Sequence, residues 1–213
     1  MGSVTRFHVA DPKAALEEMF GALLPGDMVY VGIDPGKEGS IAFVPTNRKI
    51  EPVILDMPLI KSKVKTHKKG KTVDSTRTEF AYAELAEWLQ PAIAANERVT
   101  FALERGQPMN KGGGPCCPCC KRSRAESAKT GFAVGLGYGM WQLCFSVCGF
   151  AYQEFMPAVW KKAAGLSGKS KDVSRQLAAQ RLPQARKYFT AKSDHNRAEA
   201  ALLAVHLMSK EAA

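Results

Sequence analysis

Met28-Val29-Tyr30-Val31-Gly32-Ile33-Asp34-Pro35-Gly36 is the stretch on which the fold turns. Its β-branched and aromatic residues favour a pleated strand, and Pro35-Gly36 ends that strand in a turn. The last side chain of the strand is a carboxylate. At the end of an apolar run it emerges at the sheet edge, where it must stay hydrated or meet a cation. Thr100-Phe101-Ala102-Leu103-Glu104 repeats the pattern, an apolar strand with a terminal acid. Either acid alone reads equally well as the opening of a turn. Two such acids at the ends of core strands point to a divalent cation.

Working outward, residues 40–44 and 52–56 follow the first strand at hairpin distances, which gives three strands in meander order. Phe80, Ala83, Leu85, Ala86, Leu89 and Ile93 recur at helical spacing and predict a helix over 79–94. Beyond the 99–104 strand come a helix over 132–148, a strand over 150–155 and short helices around 159–164 and 172–181. A final helix runs from about His195 to Met208. This alternation predicts an α/β fold, a mixed central sheet flanked by helices. The 213 residues suffice for one substantial core, so a single main domain is expected over 28–210. Upstream, Asp11-Pro12 followed by AALEEMFGALL and Pro25-Gly26 reads as a capped short helix in an accessory segment, 1–27.

Thirty Lys plus Arg against twenty Asp plus Glu give a net charge of +10, a field that attracts polyanions. No uninterrupted apolar run of about eighteen residues and no lipidation motif is evident, so nucleic acid is expected as partner and a membrane is not. The six cysteines are too few and too clustered for a secreted disulfide scaffold, and no secretory signal precedes them, so a reducing compartment is expected. Residues 61–71, KSKVKTHKKGK, hold six lysines and no acid and predict a solvated loop or hairpin tip. Residues 107–129 form a second long loop rich in Gly, Pro, Cys and basic side chains. Phosphate contacts are assigned to Lys63, Lys65, Lys68, Lys69, Lys111, Lys121, Arg122, Arg124, Lys161, Lys162 and Lys169.

Cys116, Cys117, Cys119 and Cys120 offer overlapping C-x-x-C frames. Four cysteines in five residues make a cramped tetrahedral cage, so a reduced loop is favoured over a zinc site. Cys144 and Cys148, one helical turn apart, belong in the core, as do Trp141 and Trp160, unless the tryptophans line an interface. Gly131, Gly135 and Gly139 suggest close packing of the helix that carries them.

The last helix opens on Asp194-His195-Asn196-Arg197-Ala198-Glu199. Asp194 and Glu199 converge only if Asp194 lies just outside the helix, since five residues span about 140° of a continuous one. An N-cap lies there, and ordinary capping is the competing reading. Four carboxylates suit two Mg²⁺ or Mn²⁺ ions about 3.5–4 Å apart, which hydrolyse a phosphodiester by activating water and stabilising the leaving oxygen. His195 is a candidate for proton transfer or ligation, against the commoner role of a helix-start histidine.

VGIDPGKEGSIAF, ALERGQP, GFAVGLGYGMW, PAVWKKAAGLSGKSKDVSR and DHNRAEAALLA, in this order over about 28–208, resemble the RuvC-type Holliday junction resolvases. The likeness is nearest to the branch with the chloroplast resolvases and RuvC-like phage and bacterial enzymes. It implies a ribonuclease-H-like fold, a homodimer, and paired symmetric nicks across a four-way DNA junction with two Mg²⁺ or Mn²⁺ per site. It implies acids at Asp34, Glu104, Asp194 and Glu199, an active-site lysine at Lys171, and junction contact by the 107–129 loop. The last motif departs from the bacterial pattern, leaving Asp194 and Asn196 as alternatives for one acid position. The implied location is intracellular and DNA-associated: a bacterial or phage-infected cytoplasm, or a chloroplast nucleoid after removal of a transit peptide. Three rivals remain: a catalytically silent junction-binding protein, an actin-like-class ATPase sharing the first-strand motif, and a related nuclease for hybrids or flaps.

Overall fold

The computed structural model of the chain describes residues 7–68, 71–106 and 128–212. Seven strands and six α-helices alternate through them: α1 (Pro12–Gly21), β1 (Val29–Ile33), β2 (Ser40–Pro45), β3 (Val53–Asp56), β4 (Leu59–Lys68), β5 (Lys71–Phe80) and α2 (Tyr82–Ala94). Then follow β6 (Val99–Glu104), α3 (Ala128–Cys148), β7 (Ala151–Phe155), α4 (Pro157–Ala163), α5 (Lys171–Arg181) and α6 (His195–Glu211). Five strands form one mixed sheet in the order β3-β2-β1-β6-β7. The β1–β2 and β2–β3 pairs are antiparallel, whereas β1–β6 and β6–β7 are parallel. An antiparallel meander followed by two parallel crossover strands, with helices on both faces, is the ribonuclease-H-like α/β arrangement.

Alternation along the strands sorts the two faces. Val29, Val31 and Ile33 join Phe43, Leu55 and Phe101 in a core under α1, α2 and α3, filled by Leu16, Phe20, Trp88, Trp141 and Phe145. Tyr30, Ala42 and Ala102 face the other way, toward Ala198, Ala201, Leu202 and Ala204 of α6 and Ala178 of α5. Small residues on both sides let α6 lie close to the sheet. At Gly32 a Cβ would stand 1.9 Å from the Ala200 carbonyl oxygen, so only glycine allows this approach. The N-terminal segment expected to be accessory contributes Leu16, Met19 and Phe20 to the same core.

Of the two readings of 61–71, loop or hairpin tip, the hairpin holds, and it is longer than a tip: β4 and β5 pair over ten residues each, from Leu59↔Phe80 to Lys68↔Lys71, in a separate two-stranded sheet. Thr, Val and Ser alternate with the lysines there, so each strand has a pleat that charge counting overlooks. Consequently α2 begins at Tyr82 rather than at residue 79. In α3, Gly131, Gly135 and Gly139 have open space where a Cβ would stand, so they pack against nothing described in this chain. The stretch Gly131–Cys148 is also long and apolar enough, by length and composition, to cross a membrane, a property hidden by its interspersed Gly, Gln and Ser.

Candidate active site

Asp34 follows β1 directly, and its N–H donates to the Ser40 carbonyl at 3.0 Å. Its Oδ1 accepts from Gly36 N–H at 3.2 Å, which fixes the carboxylate in the turn. Because β1 and β6 are parallel with Ile33 opposite Leu103, Asp34 and Glu104 occupy matching positions at the ends of adjacent strands. Glu104 Oε2 accepts from the indole Nε1 of Trp160 at 2.8 Å, so the buried tryptophan aims the carboxylate besides filling the core.

Lys161 follows Trp160 on α4, which starts immediately after β7 and so at the same end of the sheet. Its Nζ lies 2.7 Å from Glu199 Oε2 and 3.9 Å from Glu104 Oε2. Glu199 comes from the second turn of α6, the helix that Gly32 allows close to the sheet. Burial raises the Asp34 carboxyl above its ordinary range, with repulsion from Glu199 adding to it; the Gly36 hydrogen bond, Lys161 and His195 oppose the rise. Burial pushes Glu104 up to about 7, helped by Asp34 and Glu199 and opposed by Lys161 and the Trp160 bond. Burial would lower Lys161, but the attraction of Glu104, Glu199 and Asp34 outweighs it and holds the ammonium above its usual value. Three carboxylates thus share one internal cation.

His195, the first residue of α6, is near enough to Asp34 for its charge to be felt there. Its Nε2 lies 2.7 Å from Nζ of Lys171, the first residue of α5. Asn196 donates from its side-chain amide to the Glu38 carbonyl, tying the start of α6 to the turn after Asp34.

Asp194 goes elsewhere. It lies just outside α6, as the convergence argument required, yet its carboxylate is fully buried and accepts from Ala191 N–H at 2.7 Å. Its Oδ1 lies 3.7 Å from Arg197 Nη1. Arg197 in turn holds Asp56 through Nε at 2.8 Å and Nη2 at 2.6 Å, and donates to the Phe7 carbonyl at 2.6 Å.

The chain's oxygen donors suit a hard cation, and two desolvated acids at adjacent strand ends favour one electrostatically. As the side chains stand, no group of three or more His, Cys, Asp or Glu among the described residues converges on a common point. Lys161 Nζ stands between Glu104 and Glu199, in the space that an ion held by these acids would need.

Of the basic residues expected at phosphates, Lys63 and Lys65 are exposed on β4, and Lys162 and Lys169 are exposed beyond the acids. Lys161, expected at a phosphate, stands in the last turn of α4 with its ammonium against Glu199 and Glu104. Lys69, Lys111, Lys121, Arg122 and Arg124 and the cysteines 116, 117, 119 and 120 lie outside the described residues, as does the Lys68 side chain. Cys144 and Cys148 are half-buried against the core.

No protein family matches the chain, and no curated protein matches it in sequence. Among solved structures, it is similar to the RuvC of Thermus thermophilus at 13% identity and a TM-score of 0.43, over 86% of this chain and 97% of that one. It is likewise similar to T. thermophilus RuvC in complex with Holliday junction substrate, at 11% identity and a TM-score of 0.43, over 86% of this chain and 96% of that one.

Proposed function

We propose that this chain is a Mg²⁺- or Mn²⁺-dependent endonuclease that resolves four-way DNA junctions as a homodimer by paired symmetric nicks, in the manner of the RuvC-type resolvases that its motifs resemble. The observation that carries this reading is the grouping of Asp34, Glu104 and Glu199 around Lys161 at the carboxyl ends of two adjacent parallel strands. Such a set has a surplus of buried negative charge, which a structural role leaves unexplained. Asp34, Glu104 and Glu199 would hold the metal. Divalent ions bound there supply an activated water and charge stabilisation at the leaving oxygen.

Trp160 keeps Glu104 oriented, and Lys161, displaced from Glu199, is in reach of a phosphate oxygen. Lys171 and His195 stand at the border of the group, where a charge-bearing pair can contact the phosphate or hold a proton. The net charge of +10 supports nucleic acid as the substrate class. The apolar outer face of α3 supports a second copy as the other partner.

A catalytically silent junction-binding protein is the second reading, favoured by one observation: an internal ammonium already neutralises the acids. One experiment separates the two. Each strand of a four-way junction is labelled in turn and incubated with protein and Mg²⁺ or Mn²⁺, beside matched duplex, flap and hybrid substrates. Symmetric nicks lost in Asp34→Asn and Glu104→Gln support the nuclease. Wild-type protein that binds the junction but leaves it intact with either ion establishes the silent binder.

A further inference from the structure

The β4–β5 ribbon has two unlike faces. Partners directly opposite in the register share a face, so Lys61, Thr78, Lys63, Thr76, Lys65 and Asp74 stand on one side. Ser62, Arg77, Val64 and Ser75 stand on the other. Lys61, Lys63, Lys65, Asp74 and Thr76 are exposed, whereas Ser62, Val64 and Ser75 are half-buried. Arg77, on the second face, is engaged by Glu79 at 2.8 Å, and Lys68 and Lys71 fall on that face by register. Among the described residues no carboxylate stands opposite Lys61 or Lys63, whose partners are threonines; Lys65 alone faces an acid.

The base of the ribbon is anchored at the acidic group. Lys37, in the turn after Asp34, donates to the Thr78 carbonyl, and its ammonium lies 6.0 Å from the Phe80 ring centre. Thr78 is the register partner of Lys61. Lys37 thus ties the Asp34 turn to the residue opposite Lys61, and Lys63 lies two residues further along the same face. Ten residues per strand give the ribbon a length of about 33 Å, close to one helical turn of duplex DNA.

From this geometry we propose that the β4–β5 ribbon is an arm clamp: its Lys61–Lys63 face lies along the sugar–phosphate backbone of one duplex arm and feeds that arm toward the acids. This rests on DNA as the substrate class of the proposed function. Lysine and threonine contact phosphate oxygens without reading bases, so the clamp holds an arm irrespective of its sequence.

The test is binding without divalent ions, by fluorescence anisotropy across a salt titration, to a four-way junction whose arms extend about fifteen base pairs, more than one helical turn. Lys61→Ala with Lys63→Ala should weaken binding about tenfold or more at low salt and reduce the salt slope by about 1.8, from two lost phosphate contacts. Adding Ser62→Lys and Ser75→Lys to this variant returns the charge to the opposite face and should restore neither. A salt slope that survives the double substitution, or returns with the misplaced lysines, overturns the clamp. The assay involves no cleavage, so a protein that cuts nothing can still show the clamp, and a junction-cutting protein can still lack it.

Discussion

Nζ of Lys161 stands 2.7 Å from Oε2 of Glu199 and 3.9 Å from Oε2 of Glu104, so one ammonium offsets the charge of two carboxylates of the candidate site. If the ammonium and a divalent ion use the same space, removing one should favour the other. Lys161→Met is therefore expected to lower the melting temperature in EDTA and to show a larger Mg²⁺-induced rise than wild type. An ion that binds only the folded state adds about 2.7 kcal/mol at a hundred times its Kd. Differential scanning fluorimetry across a Mg²⁺ titration reads both effects; equal Mg²⁺ shifts in the two proteins would mean that lysine and ion do not compete.

Glu104 titrates at about 7 instead of near 4.5, because burial disfavours its charged form. Its folded value lies above its unfolded one, so the stability it contributes is complete below about pH 4.5 and is lost as pH rises through about 7. The full difference is on the order of 3 kcal/mol. Glu104→Gln keeps an acceptor for Trp160 and removes the charge. The variant should be more stable than wild type at pH 8 and nearly equal to it at pH 5, in urea melts without metal. Metal binding needs the carboxylate, so wild-type cleavage should fall as pH drops below about 7, the opposite trend to stability.

Strand composition made the sheet legible, because Val29–Ile33 and Val99–Glu104 are apolar runs, each closed by an acid, Asp34 and Glu104, at the same end of the sheet. Glu199 was legible from its place in the last helix. Lys161 and Trp160 were harder to assign, since their role depends on β7 lying beside β6, a pairing absent from local sequence. The hairpin was legible in the ribbon but its length was not, because lysines dominate its composition while its pleat is carried by the small residues between them. Spacing placed Asp194 just outside α6, where it lies, but not its partners Ala191 and Arg197, which depend on how the preceding turn folds back.

Asp194 is expected to serve the core more than the reaction. Asp194→Ala removes the acceptor of Ala191 N–H and a neighbour of the buried Arg197, at a cost on the order of 2 kcal/mol. Glu199→Gln should cost far less stability but reduce cleavage by orders of magnitude. Both variants are assayed at low temperature, where circular dichroism shows Asp194→Ala to be folded. A folded Asp194→Ala protein as inactive as Glu199→Gln would return Asp194 to the catalytic set.

The outer face of α3 makes the last prediction. At 100° per residue, Phe132, Leu136, Leu143 and Val147 fall within about 60° of one another, opposite the buried Gly137, Trp141 and Phe145. Phe132 is 72% exposed, Leu143 66% and Val147 76%, a run of large apolar side chains that a monomer in water would leave uncovered. The open glycines beside it, Gly135 and Gly139, let a second helix approach closely. A second copy of the chain supplies a matching face by two-fold symmetry, as paired nicking of a symmetric junction requires. Leu143→Lys with Val147→Lys should convert the dimer to a monomer in sedimentation velocity, with the fold intact because neither side chain enters the core. On a supercoiled plasmid with an extruded cruciform, wild-type protein should give linear product from two coordinated nicks, whereas the variant should give mainly nicked circles. A variant that stays dimeric, or a monomeric variant that still yields linear product at the wild-type ratio, removes α3 from the coupling of the two cuts.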